Sequence, residues 1–86
     1  MANHASAKKR IRQTLKRTAR NKHIRTNVRG LVKKVRVAIA DGDKAAAQEA
    51  LKSAVRRIDM AVSKGVYHRK TGSRYISRLT TQVGEL

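Results

Sequence analysis

Lys8, Lys9, Arg10, Arg12, Lys16, Arg17, Arg20, Lys22 and Arg25 are interleaved with small or polar residues, and no Asp or Glu stands among them. Side chains of this type do one kind of chemistry well, the neutralisation of anions. At helical spacing they repel one another: Arg12 meets Lys16 and Lys16 meets Arg20 at i,i+4, which destabilises an isolated helix. A solvated helix gains by mixing signs, whereas this segment leaves the opposite charge to a partner. A polyanion with closely spaced phosphates supplies it. Without that partner such an arm is expected to fray, and to order on its target.

Other chemistries lack materials. The acids are Asp41, Asp43, Glu49, Asp59 and Glu85. The first two suit a turn and a helix cap, and Asp59 suits a surface pairing with Arg56 or Lys52. Ser53, Ser63, Ser73 and Ser77 have no base at a useful spacing, so no catalytic residue and no small-molecule substrate are expected. His4, His23 and His68 are scattered, without the paired ligands a metal needs. With no cysteine in the chain, disulfides and thiolate zinc sites are excluded. No metal or cofactor is expected.

The 86 residues allow one core. With two tyrosines and no Phe or Trp, that core must be built from Ala, Val, Ile and Leu. The formal net charge of +17 is lopsided: positions 1–40 hold thirteen basic residues and no acid, while 41–86 hold nine basic and five acidic ones. The first half is therefore the expected main contact. No apolar run approaches the roughly 18 residues of a membrane span, and the most basic stretch, 8–22, lacks the continuous apolar face of a membrane-active peptide. The acid-free start has the composition of an organellar transit peptide. It runs without a break into a core-forming segment, however, which favours a folded arm over a removable leader.

Glycine and aspartate punctuate a chain that contains no proline. Asp41-Gly42-Asp43 reads as a helix end followed by an N-cap, with Gly42 free to take the left-handed position, and Lys64-Gly65 reads as a second helix end. Three helices follow, near 6–40, 44–64 and 69–84, joined by turns short enough to make neighbours antiparallel. At about 100° per residue, Ile24, Val28, Leu31, Val32, Val35, Ala38 and Ile39 share one side of the first helix, opposite Arg25, Arg29, Lys33, Lys34 and Arg36. The second helix aligns Ala47, Leu51, Ala54, Val55, Ile58 and Val62. The third aligns Tyr75, Ile76, Leu79 and Val83, with Lys70, Arg74 and Arg78 outward. Toward the start of the first helix this stripe fails: Arg10 and Arg17 fall in the sector of Val28 and Val35, and charge surrounds 8–22. The fold class expected is an all-α, antiparallel three-helix bundle with a long, overhanging basic N-terminal helix. Residues 1–86 form a single unit, divided into an arm, 1–23, and a bundle, 24–86.

DNA-binding signatures are missing, as are the aromatic motifs of RNA-recognition folds, so base stacking is a poor candidate from sequence. What remains is recognition of backbone position and shape. Irregular folded RNA, with crowded phosphates and deep grooves, suits a thin arm better than duplex DNA does. A DNA-compacting protein of histone-like character is the alternative.

Short blocks along the whole chain resemble the bacterial small-subunit ribosomal protein S-twenty family. They are Met1-Ala2-Asn3 with Ser6-Ala7-Lys8-Lys9-Arg10, then Lys33-Lys34-Val35 and Ala38-Ile39, then Gly42-Asp43-Lys44-Ala45-Ala46. Ile58-Asp59 with Ala61, Lys64-Gly65-Val66 with His68, Arg74, and Ser77-Arg78-Leu79 complete them. The resemblance implies a three-helix bundle whose first helix inserts among rRNA helices, binding to the 5′ domain of 16S rRNA early in assembly, and a further contact with the long penultimate rRNA helix. It also implies a cytoplasmic bacterial ribosome in preference to an organellar one, and only peripheral contact with other small-subunit proteins. Carried over residue by residue, the block Ser6–Arg10 and the basic residues after it, on through Arg29 and Lys33, would be arm contacts. The turn Lys64-Gly65, His68-Arg69, Arg74 and Arg78 would form a second patch, to which Lys70 adds its charge as a further expected RNA contact of this sequence. Three positions depart from the family pattern: Lys70 where an N-capping asparagine is common, Gly72 where alanine is usual, and Tyr67 where an aliphatic is usual.

Overall fold

The computed structural model describes residues 2–86; Met1, counted with the arm above, and the side chains of Ala2 and Asn3 lie outside the described residues. Three helices make up the chain: α1 (Ala2–Ala40), α2 (Lys44–Ser63) and α3 (Arg69–Gly84). The helix ends obey the local rules of their residues. After α1, the Gly42 N–H donates to the Ile39 carbonyl at 3.0 Å and the Asp43 N–H to Ala38 at 3.1 Å, with Gly42 at φ +70°. This is the paired-bond helix stop that needs a left-handed residue. It recurs after α2, where Gly65 at φ +75° donates to Val62 and Val66 to Ala61. Val66 then tucks into the core. Asp43 also caps α2, its carboxylate accepting from the Ala46 N–H at 3.1 Å.

The cap of α3 differs from the family pattern. His68 holds extended backbone angles, and its Nδ1 accepts from the Lys70 N–H at 3.1 Å. The histidine supplies the acceptor, and a lysine at position 70 leaves the helix start intact.

α1 is helical from Ala2 onward, earlier than the start near residue 6 that the sequence indicates. Ala, Arg, Lys, Gln and Leu are strong helix formers, and the bundle half of α1 supplies the costly nucleus from which the arm only propagates.

α2 runs back along α1, since the turn 41–43 joins one pair of ends while Arg20 meets the Lys64 carbonyl near the other. α3 reverses again, so that Arg36 and Ile39 of α1 line a cleft with Gln82 of α3 and Glu85 just after it. The order is up-down-up. The core holds Ile24, Val28, Val35, Ala38, Ala47, Ala54, Ile58, Ala61, Val66, Leu79 and Val83, with Leu31, Val32, Ile39, Leu51, Tyr67 and Ile76 packed around it. Two details depart from the wheel. Ala61, outside the expected stripe, is completely buried, and Tyr75, expected inward, is 37% exposed. Tyr75 sits on the flank of the α3 stripe, and α3 packs chiefly on α2, which leaves that flank open.

The first buried residue of α1 is Ile24. From His4 to His23 every side chain is exposed except the half-buried Asn21, with Ile11 and Leu15 at 60% and 65% exposure. This overhang gives principal extents of 63 × 20 × 14 Å and a radius of gyration of 17.3 Å, against about 12 Å for a compact chain of this length.

Gly72 is buried in the α2–α3 contact. A Cβ there would lie 2.5 Å from Val62 Cγ2 and 3.4 Å from Ile58 Cγ2, and Val62 is stiff at χ1 in a helix. Alanine, usual at this position in the family pattern, would gain about 1 kcal/mol of helix propensity and lose about 1–3 kcal/mol to overpacking. Gly72→Ala should therefore lower the thermal midpoint by several degrees, and adding Val62→Ala, which removes the clashing methyl, should recover helix–helix packing at that point. Calorimetry of both variants checks this. A rise in midpoint for Gly72→Ala alone would show that Val62 yields freely.

Candidate nucleic-acid interface

The arm presents Lys8, Lys9, Arg10, Arg12, Lys16, Arg17, Arg20, Lys22 and Arg25, all exposed. Seen down the axis they surround the helix, so no single face is reserved for the bundle. At the arm's base, Arg20 Nη2 donates to Asn21 Oδ1 at 3.2 Å and to the Lys64 carbonyl at 3.3 Å. That carbonyl lies at the C-terminal, electronegative end of α2, where a guanidinium is favoured. The structure thus brings two expected contact residues together, with Arg20 bridging the base of the arm and the end of α2.

The other expected residues fall into two groups. Lys64, His68, Arg69 and Lys70 are exposed around the turn between α2 and α3. Arg69 and Lys70 occupy the first turn of α3, a position that the helix dipole disfavours for cations and that an anion would relieve. His68 Nδ1 is engaged by the Lys70 N–H, so that nitrogen is not free for a partner. Arg25, Arg29 and Lys33 face Arg78 across a groove between α1 and α3, and Arg74 lies beside it without lining it.

Sequence reasoning missed part of this groove. Its lining also includes Arg36, Tyr67 and Tyr75, over Val28, Val32 and Leu79, and its volume is about 620 Å³. Arg36 was legible, because Arg25, Arg29, Lys33 and Arg36 fall within about 80° on the wheel. The tyrosines were not, because their meeting depends on how the turn before α3 folds. Their rings stand edge to face, 83° apart, with centroids separated by 5.9 Å.

Among the described residues no polar or charged side chain is buried, and no three His, Cys, Asp or Glu side chains gather to hold a metal. No helix is long and apolar enough to cross a membrane. The exposed Lys and Arg side chains suit this surface to binding an anion.

Comparison with known proteins agrees with the resemblance. The family described as Ribosomal protein S20 matches residues 2–84. A small ribosomal subunit protein bS20 from Geotalea uraniireducens is 56% identical over 86 residues, covering 100% of this chain and 99% of its own. One from an Anaeromyxobacter strain is 61% identical over 79 residues, or 92% of this chain and 87% of its own. A third, from Campylobacter fetus, is 54% identical over 86 residues, covering 100% of this chain and 98% of its own. A match that takes in the arm, both turns and all three helices leaves no part of the architecture outside the comparison, and the chain belongs to the ribosomal protein S20 family.

Proposed function

We propose that the chain is a structural constituent of the small subunit of the bacterial ribosome, binding directly to the 5′ domain of 16S rRNA and supporting subunit assembly. It belongs to a family of ribosomal proteins and is not an enzyme. One observation carries the reading: in a member of this family, an exposed stretch of helix about 30 Å long leaves the bundle with eight Lys or Arg and no acid between His4 and His23. Residues 1–23 act as the arm, and 24–86 as the bundle that positions it. Arm residues neutralise phosphates; Lys64, Arg69 and Lys70, with the free edge of His68, make a second phosphate-binding patch at the turn beside the base of the arm, and Arg74 and Arg78 extend it along α3. Neighbouring small-subunit proteins touch it only peripherally, and the setting is the cytoplasm.

Two measurements test this. In the first, the full-length chain is titrated with a 5′-domain rRNA fragment and with a DNA duplex of matched length across a range of salt. Phosphate contact alone makes binding to both steeply salt-dependent. At physiological salt the rRNA fragment should win by about a thousandfold, the low end of specific over non-specific binding in protein–DNA systems. Equal affinity would move the DNA-compacting alternative ahead. In the second, Arg10→Ala with Arg17→Ala should weaken rRNA binding and reduce the salt slope by about 2, one per lost contact. The thermal midpoint of the free protein should stay within about a degree of the parent's, because neither side chain is buried. A midpoint several degrees lower would mean that the arm belongs to the folded core.

A further inference from the structure

The groove between α1 and α3 has features that phosphate neutralisation does not use. Tyr67 and Tyr75 are all the aromatic residues the chain possesses, and both line this groove. A ring recruited only for packing would be covered, yet Tyr75 keeps 37% of its surface exposed. Tyr67 is half-buried and stands edge-on to it, which fixes the Tyr75 ring plane. Around the rings stand Arg25, Arg29, Lys33, Arg36 and Arg78, with no acid among the lining residues. Val28, Val32 and Leu79 give the groove an apolar floor, and its 620 Å³ falls within the range of small-ligand sites.

An occupant matched to this groove has a flat, apolar, polarisable face and carries negative charge on both sides of it. A nucleotide in a single strand is built that way. We propose that the groove takes one unstacked nucleotide of a single-stranded RNA segment, its base against the Tyr75 ring and its flanking phosphates on the surrounding Arg and Lys. The proposal rests on the RNA-binding reading above and adds a base contact to it. Base–aromatic stacking tolerates any base because every base has a π-face, so the groove would select an extruded or looped nucleotide over a paired one and would not read sequence. Tyr67 is a positioning residue in this arrangement, and Tyr75 the contact.

The test uses the full-length chain and three probes: a short oligoadenylate, the same backbone with abasic residues, and adenosine monophosphate. Oligoadenylate should bind the parent chain about tenfold more tightly than the abasic strand. Tyr75→Leu, which keeps an apolar side chain, should lose that tenfold difference while retaining the parent's salt slope, because no charge is removed. Tyr75→Phe should restore it. Circular dichroism melting confirms that each variant is folded, and Tyr67→Leu should fall between the parent and Tyr75→Leu. Equal binding of the abasic strand to the parent, or full affinity in Tyr75→Leu, overturns the proposal. So does saturation by adenosine monophosphate at concentrations as low as oligoadenylate requires, since the strand would then not be the occupant. These outcomes are independent of the competition between rRNA and duplex DNA. A failed groove leaves the arm's preference for rRNA standing, and equal affinity for rRNA and DNA leaves the stacking result readable.

Discussion

Repulsion among twenty-two Lys and Arg side chains, opposed by five Asp and Glu, sets the shape of this molecule. A compact arrangement would bring the charges closest together and raise the cost of folding. An elongated one spreads them, and α1 does this by carrying its most basic half clear of the rest. The extent of 63 Å is close to the roughly 58 Å of a helix as long as α1, so that helix alone determines the long dimension. What remains for the bundle is the less charged part of the chain, where a thin aliphatic core suffices.

The core meets that requirement with small residues. Ala38, Ala47, Ala54 and Ala61 are buried, with Val and Ile as the larger units, and Gly72 lets α3 come within van der Waals range of Val62 and Ile58. Small side chains bring helix backbones close together and bury little area apiece, which keeps the bundle slender and its stability modest. Turn geometry compensates. Two left-handed glycines and two side-chain caps fix the directions of α2 and α3 through local hydrogen bonds, so that antiparallel packing does not depend on a large hydrophobic gain.

This division explains what was legible in the sequence. Features controlled by neighbours along the chain could be read: the glycine stops at 42 and 65, the Asp43 cap, the three apolar stripes, and the failure of the first stripe before Ile24. Features controlled by contacts between helices could not. Ala61 sits at the edge of the α2 stripe, seven residues after Ala54, and only the packed fold shows that it is covered completely. Tyr75 belongs to the apolar stripe of α3 by periodicity but borders an open groove, because α3 leans toward α2. Gly72 looks like a helix defect in isolation and is a contact surface in the fold. The His68 cap is local, its Nδ1 accepting from the Lys70 N–H two residues on, and it stands just before the helix start at 69 that the sequence indicates. The basic residues were legible as a population, while their grouping into arm, turn and groove required the structure.

That grouping bears on how a protein with no buried polar side chain among its described residues can bind RNA selectively. Phosphate contacts position a protein and carry no sequence information, so an arm of this charge would hold any polyanion. Selectivity then has to come from shape. The arm, the turn before α3 and the α1–α3 groove lie at different places on the surface, and on the proposed reading only a folded RNA whose phosphates match all three would satisfy them together. A straight duplex offers phosphates in a regular double-helical array, which on this reading would match the arm better than the three sites together. Arg20 links the first two, because its guanidinium donates to the Lys64 carbonyl beside that turn at 3.3 Å. α1 runs unbroken from the arm into the bundle, and on the proposed reading that continuity would turn a set of non-specific contacts into a geometric requirement.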